Sequence, residues 1–315
     1  MRIIDAEEVA AGLAWPALVD RLAHTFRQGV VSPPRHHHGV QRHDGEATLL
    51  LMPAWEQDGY IGVKMVNVFP QNATHGLPAI AGVYLLSEGD HGQPLACIDG
   101  SELTRRRTAA ASALAARELA REDAETLLVV GTGKLAPMVI EAHASVRPIR
   151  RVRIWGRHSD KARRLADEYA ERFDTEAVSD LQGACGEADL VSCVTLSTEP
   201  LVRGAWLAPG THLDLIGAFK PDMRESDGEC LRRGEVFVDT YAGARGEAGD
   251  IHQAIDEGAF AFEDIRAELA ELLSGSEPGR SGPEAITVFK SVGASLEDLA
   301  AAIEVWEGRR RAGGS

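Results

Sequence analysis

The run Leu127-Leu128-Val129-Val130-Gly131-Thr132-Gly133-Lys134-Leu135-Ala136 constrains this chain more than any other stretch. An apolar strand-like segment passes through two glycines straight into a helix-like one. A strand that turns tightly into a helix opens a βαβ unit, which requires a parallel sheet. Gly131 stands where the turn is tightest. Gly133 stands where a backbone can approach a pyrophosphate, and Ala136 where the helix must lie close to its strand. Thr132, Lys134 and Leu135 complete a loop that ends at a helix N-terminus, a place suited to anionic charge. Residues 131–136 are therefore predicted to hold a dinucleotide.

The next strand bears on which dinucleotide. Arg151–Trp155 has β character and leads into Gly156-Arg157-His158-Ser159-Asp160-Lys161. A carboxylate at the end of this strand bonds the ribose 2′-hydroxyl of NAD. Here that position falls on Gly156, and Arg157 follows. A carboxylate repels a 2′-phosphate, whereas a guanidinium holds it with a fork of donors. NADPH is thus expected to be preferred, with NADH also accepted, and with Arg157, His158 and Lys161 as contacts. The competing reading makes these residues solvated loop charges. Thr195, just after the apolar strand Ala188–Val194, is expected at the nicotinamide side, or else in a plain strand-end turn.

The 315 residues suffice for two domains. A net charge of −15 argues against general affinity for nucleic acid or anionic membrane. The N-terminus has no signal-like apolar stretch and no run reaches transmembrane length, so a cytoplasmic location is expected. Cys97, Cys185, Cys193 and Cys230 lack metal-ligand spacing and read as reduced thiols. His36-His37-His38 lies on an extended segment where neighbouring side chains alternate in direction, so no metal site is expected there.

Residues 1–30 read as a short strand and a helix with Leu18, Leu22 and Phe26 on one face. Strands are predicted at Thr48–Met52, Tyr60–Val68, Ala81–Ser87 and Pro94–Asp99. An Ala-rich helix follows over Ser101–Leu119, with Ser101 as N-cap. From Thr126 strands and helices alternate, with further strands at Thr211–Ile216 and Glu235–Val238. A final helix is read over Leu296–Trp306, with a frayed tail over Arg309–Ser315. The fold class is α/β: a Rossmann-type doubly wound parallel sheet over 118–288, inserted in a second α+β substrate and dimerisation domain formed by 1–117 and 289–315.

Three cations outside the nucleotide segment draw notice. Lys64 lies in the apolar strand pattern Ile61-Gly62-Val63-Lys64-Met65-Val66, so it must face solvent or meet an anionic partner. Arg107 is near the start of the Ala-rich helix, and Arg35 follows the stiff pair Pro33-Pro34. Taken singly, each reads more readily as a surface charge.

Together these segments resemble the ornithine cyclodeaminase/mu-crystallin family. The resemblance rests on Pro33-Pro34-Arg35, Leu51-Met52-Pro53, Gly62-Val63-Lys64, Leu103-Thr104 with Arg107-Thr108-Ala109-Ala110, the glycine turn, Ile286 to Gly293, and Asp298. It covers nearly the whole chain. It implies that Arg35, Lys64 and Arg107 are the catalytic residues around a substrate's α-carboxylate and α-nitrogen, that Met52, Phe219 and Gly293 line the same pocket, and that the protein is a homodimer.

The family's cyclodeaminases carry a catalytic Asp after a glycine pair. This chain reads Gly217-Ala218-Phe219 there, and phenylalanine can neither take a proton nor pair with an amine. Asp222, three residues on, is either a substitute for that acid or a turn residue after Pro221, the second being the favoured reading. The run Gly217 to Glu225 instead resembles the family's ketimine reductases, which convert Δ1-pyrroline-2-carboxylate to L-proline and often its six-membered analogue to L-pipecolate. That resemblance implies a small cyclic imino acid as substrate and a catabolic role ending in proline. The rival expectations are a cyclodeaminase, another amino-acid dehydrogenase or opine-type enzyme, and a non-catalytic NADPH-binding crystallin.

Overall fold

The computed structural model describes residues 1–43 and 45–313. Its contacts divide the chain into two units, Met1–Thr108 with Ala294–Ser315, and Ala109–Gly293.

In the first unit, strands β1 (Arg2–Ile4), β2 (His36–Arg42), β3 (Gly45–Trp55), β4 (Ile61–Val68), β5 (Ile80–Ser87) and β6 (Pro94–Asp99) form one sheet in the order β1-β6-β5-β4-β3-β2. Strands β2 to β6 pair antiparallel, and β1 joins β6 in parallel. Helix α1 (Ala6–Gly12) starts at a capping box: the Glu8 amide donates to Asp5 and the Asp5 amide to Glu8. Helix α2 (Trp15–Gln28) buries Leu18, Leu22 and Phe26 at the spacing that predicted it. The last helix of the chain, Ser295–Gly313, packs against α2 and against β3, β4 and β5. Alternation along β4 places Gly62 and Lys64 on the buried face of the sheet.

The division after Thr108 falls inside helix α3 (Gly100–Leu119). Its N-terminus differs from expectation. The helix begins at Gly100, and Asp99, not Ser101, supplies the cap, its Oδ1 accepting from the Glu102 amide at 2.7 Å. Arg107 accordingly lies beyond the first turn, where the free amides are.

In the second unit, eight strands are parallel: β7 (Thr126–Val130), β8 (Arg151–Trp155), β9 (Asp174–Ala177), β10 (Leu190–Cys193), β11 (His212–Leu215), β12 (Glu235–Val238), β13 (Ile265–Glu268) and β14 (Thr287–Lys290). Their order is β13-β12-β14-β11-β10-β7-β8-β9. Strand order reverses between β7 and β10, the switch point at which doubly wound sheets bind ligands beyond their strand ends. Helices α4 (Ala136–Ala144), α5 (Ser159–Tyr169), α6 (Leu181–Glu187), α7 (Gly228–Arg233), α8 (Tyr241–Glu247), α9 (Gly249–Asp256) and α10 (Leu269–Ser274) alternate with the strands.

The central strands β7, β10, β11 and β14 are buried along their whole length, as parallel strands covered on both faces must be. Their few polar side chains pair with one another. Asp214 accepts from Ser192 Oγ at 2.7 Å and meets His143 Nε2 at 3.3 Å, while His212 Nδ1 lies 2.8 Å from Thr287 Oγ1. Burial pushes His212 down to about 3, so it stays neutral.

Several sequence expectations need correction. Strand β14 pairs with both β11 and β12, so a domain break after residue 288 would cut a central strand; the units part after Thr108 and Gly293. The final helix does not fray from Arg309 but runs to Gly313, Arg309 and Arg311 meeting Glu8 and Glu304; residues 314 and 315 lie outside the described residues. Strands β2, β9, β13 and β14 were not expected. His36, His37 and His38 open β2 as exposed residues opposite Leu51, Leu50 and Leu49. Among the described residues, no helix is long and apolar enough to cross a membrane.

Candidate active site

The first unit carries a buried four-membered charge cluster. Lys64 is 2% exposed, and its Nζ lies 2.7 Å from Asp298 Oδ2 and 3.4 Å from Thr104 Oγ1. Arg107 donates from Nε to Asp298 Oδ1 at 2.9 Å and from Nη1 to Glu297 Oε2 at 2.6 Å. Neither bond uses Nη2. Glu297 and Asp298 sit in the first turn of the last helix, where the helix dipole also favours negative charge. Two cations and two carboxylates taken out of water together are tolerable because each is paired.

The electrostatics make Lys64 unusual. Burial lowers its pKa, Asp298 raises it, and Arg107 and then Arg35 lower it again, leaving it at about 8. Burial would raise Asp298, but Lys64 and Arg107 outweigh this and hold it below the ordinary carboxylate value. Burial opposes the charge on Arg107 too, and its two carboxylates more than compensate. The result is an ammonium whose proton is held loosely, next to a guanidinium whose proton is not.

Register extends this site across the sheet. Met52, Lys64 and Tyr84 are directly opposed on β3, β4 and β5, and all three are buried. Arg35, half-buried, immediately precedes β2, next to the His36–Leu51 pairing. The predicted residues Arg35, Lys64, Arg107 and Met52 thus fall in the same unit, tied to one row of strand pairs and to α3.

The second unit carries the glycine turn. Gly131 adopts φ +131°, and a Cβ there would stand 2.9 Å from Val194 Cγ2 and from the Val194 carbonyl oxygen. Only glycine satisfies both conditions. A Cβ on Gly133 would meet nothing within 4 Å, so the turn is open on that side. Thr132 is half-buried, Lys134 is exposed, Leu135 is the N-cap of α4 with no side-chain cap, and Ala136 is buried against the sheet. Uncapped amides beside an open glycine backbone fit a pyrophosphate.

Arg157, His158 and Lys161 are exposed around the start of α5. A Cβ on Gly156 would come within 2.7 Å of Thr132 Cγ2, so no acidic side chain replaces that glycine without displacing Thr132. Thr195 is half-buried, its amide and hydroxyl both bonded to Glu225. Phe219 is half-buried in a tight turn, its amide donating to the Gly217 carbonyl. Gly293 adopts φ +83° and donates to Asp239 Oδ2 at 2.6 Å.

Sequence reasoning missed Glu297, Glu225, Asp239 and Lys290. The argument that marks Lys64, a cation in an apolar strand, applies equally to Lys290 in Thr287-Val288-Phe289-Lys290, which pairs with Asp250 at 3.3 Å.

The profile of the ornithine cyclodeaminase/mu-crystallin family matches residues 3–312. The Delta(1)-pyrroline-2-carboxylate reductase of Paracoccus denitrificans is 37% identical over 91% of this chain and 90% of its own length. The structure of the Thermococcus litoralis Delta(1)-pyrroline-2-carboxylate reductase, in complex with NADH and L-proline, superposes with a TM-score of 0.92 at 30% identity, covering 99% of this chain and 98% of that one. An archaeal alanine dehydrogenase dimer with bound NAD superposes with a TM-score of 0.90 at 29% identity, covering 100% and 97%.

Proposed function

We propose that this chain, which belongs to the ornithine cyclodeaminase/mu-crystallin family, is an oxidoreductase that reduces the C=N bond of a cyclic α-imino acid at the expense of a reduced nicotinamide dinucleotide. The substrates are Δ1-pyrroline-2-carboxylate and its six-membered analogue Δ1-piperideine-2-carboxylate, and the products are L-proline and L-pipecolate. The observation that carries this reading is the buried cluster Lys64–Asp298–Arg107–Glu297, in a chain so similar to named pyrroline-2-carboxylate reductases.

The bound dinucleotide supplies a hydride to C2, and the imine nitrogen ends with one added proton. Residues 131–136 would hold its pyrophosphate, and Thr195 would contact it further along. Arg107, through Nη2, and Arg35 bind the substrate carboxylate. Glu297 and Asp298 fix the Arg107 plane, so little orientational freedom is lost on binding. Lys64, with a pKa of about 8, is mostly protonated at neutral pH. It holds positive charge and an exchangeable proton beside the carboxylate and nitrogen. The same reading assigns Met52, Phe219 and Gly293 to contacts with the substrate ring. Phe219, where cyclodeaminases carry an acid, disfavours ornithine.

NADPH is the preferred cofactor in this proposal. Gly156 leaves no carboxylate to repel a 2′-phosphate, and Arg157, His158 and Lys161 stand exposed beside it. The active species is a homodimer.

The test is oxidation of NADPH by the purified protein with each imine, run beside NADH. NADPH loss with L-proline formed is the expected result. No turnover with either imine, alongside ammonia release from ornithine, moves the assignment to a cyclodeaminase. Dinucleotide binding with no turnover of imine, ornithine or alanine moves it to a binding protein.

A further inference from the structure

A second buried charge centre lies in the Ala109–Gly293 unit, around a residue given no role above. Glu225 is fully buried. Its Oε1 accepts from the Thr195 amide at 2.6 Å and the Thr195 hydroxyl at 2.8 Å, and its Oε2 accepts from the Gly217 amide at 2.6 Å. Thr195 lies just past the end of β10, and Gly217 just past the end of β11. One carboxylate therefore fastens together two neighbouring strands where their own ladder has stopped.

The fastening is tight. A Cβ on Gly217 would stand 1.8 Å from the Thr195 carbonyl oxygen and 2.5 Å from Glu225 Oε1. Val194, the residue before Thr195, is the one that forces Gly131 to be glycine. The ends of β7, β10 and β11 thus touch in sequence: Gly131 on Val194, Thr195 on Gly217, with Glu225 bonded to the last two. This is the switch-point edge of the sheet, where ligands of doubly wound folds lie. Glu225 is itself held in place, its amide and that of Ser226 donating to Asp250 Oδ1 at 2.8 and 2.9 Å.

We propose that Glu225 is a positioning residue for the dinucleotide: as a carboxylate it sets the Thr195 and Gly217 strand ends that bear on the cofactor, and on protonation it releases them. The proposal rests on the dinucleotide reading above. A carboxylate can accept all three bonds, whereas a carboxylic acid must turn one oxygen into a donor facing an N–H or O–H. Burial raises the Glu225 pKa, Lys290 at the end of β14 lowers it, Asp250 on α9 raises it, and the Thr195 and Gly217 amides lower it, leaving it at about 7. The Cys193 thiol on β10, which also feels this charge, is pushed far up and stays neutral. Asp250 Oδ2 itself lies 3.3 Å from Lys290 Nζ.

The experiment is a fluorescence titration of NADH and NADPH into the full-length protein and into E225Q, between pH 6 and 8.5, with melting temperature and circular dichroism recorded for both. For the unaltered protein, affinity is expected to fall as pH drops through about 7. For folded E225Q, affinity at pH 8 is expected to be about tenfold weaker, the loss of one charge-assisted hydrogen bond, and the step near neutrality to be gone. E225Q that binds like the unaltered protein with the same step overturns the proposal, even if its melting temperature is lower, because the carboxylate then serves stability alone. If E225Q does not fold, T195V removes only the hydroxyl bond; it is expected to weaken binding and keep the step. T195V with unchanged affinity, or a flat pH profile in the unaltered protein, overturns the proposal. Failure of the unaltered protein to bind either dinucleotide removes the cofactor reading, and this one with it.

Discussion

Asp298→Asn is the most informative single change, because it keeps the shape of the cluster and removes one charge. In the unaltered protein the carboxylate lies 2.7 Å from Lys64 Nζ, and Lys64 has a pKa of about 8. Two unit charges ~4 Å apart at an effective dielectric of ~20 interact by ~4 kcal/mol, which is ~3 pKa units. Without that partner, burial and the Arg107 and Arg35 charges act on Lys64 unopposed by Asp298. Its pKa should fall to ~5, and the protonated fraction at pH 7 by ~100-fold. The assay is kcat/KM for the imine from pH 5 to 9 with saturating NADPH, so that effects on cofactor binding drop out. Because the substrate also titrates, the comparison is between variant and unaltered profiles. The alkaline limb near pH 8 in the unaltered protein should move below pH 6 in D298N, with kcat/KM down ~100-fold at pH 7. A folded D298N with its alkaline limb still near 8 and kcat/KM unchanged would refute the reasoning that Lys64 acts protonated and that Asp298 keeps it so.

Arg35→Ala should raise the imine KM by ~10- to 100-fold, the loss of one ionic hydrogen bond, while barely moving the melting temperature, because Arg35 is only half-buried; initial rates and a thermal melt check both. Arg107→Ala removes a buried charge partner from both Glu297 and Asp298, so it should cost ~3–5 kcal/mol of stability as well as activity, seen as a large drop in denaturant midpoint. Replacing Arg157 and Lys161 together by Ala should cut the NADPH-over-NADH ratio of kcat/KM by at least about tenfold, with NADH kinetics unchanged. Gly131→Ala places a side chain at φ +131°, at a cost of ~1–3 kcal/mol, read as a lower melting temperature and weaker dinucleotide binding.

What could be read from the sequence depended on whether the local pattern carried its own reason. The glycine turn did, because the backbone there needs glycine, and Val194 gives the atomic cause. Lys64 did only in part: a cation in an apolar strand must face solvent or meet an anion, and the family resemblance, not the pattern, favoured the second; its partner came from a helix more than two hundred residues away, where Glu297 and Asp298 look like ordinary first-turn acids. Strand β2 was not legible because His-His-His-Gly has little β preference, and only pairing with β3 makes it a strand. Strand β14 was quoted as a motif but not recognised as central, since a four-residue apolar run is too short to place in a sheet. Glu225 entered only as the last residue of the run that resembles the ketimine reductases, with no role of its own, because that role follows from two strand ends that only the fold brings together.

The division of the chain bears on the order in which the protein can assemble. The second unit, Ala109–Gly293, is one uninterrupted stretch, while the first needs Met1–Thr108 and also the helix that begins at Ser295. During synthesis, β3 to β6 emerge early, carrying Lys64 toward a buried face with no carboxylate yet made to receive it. The carboxylates that pair with Lys64 and Arg107 lie on that last helix, which is translated only after the entire parallel sheet. Until then Lys64 lacks its Asp298 partner, and a charge on the inward face of a strand opposes edge-to-edge association. The residue proposed to hold a proton for the substrate thus waits for its charge partner until the second unit has been made.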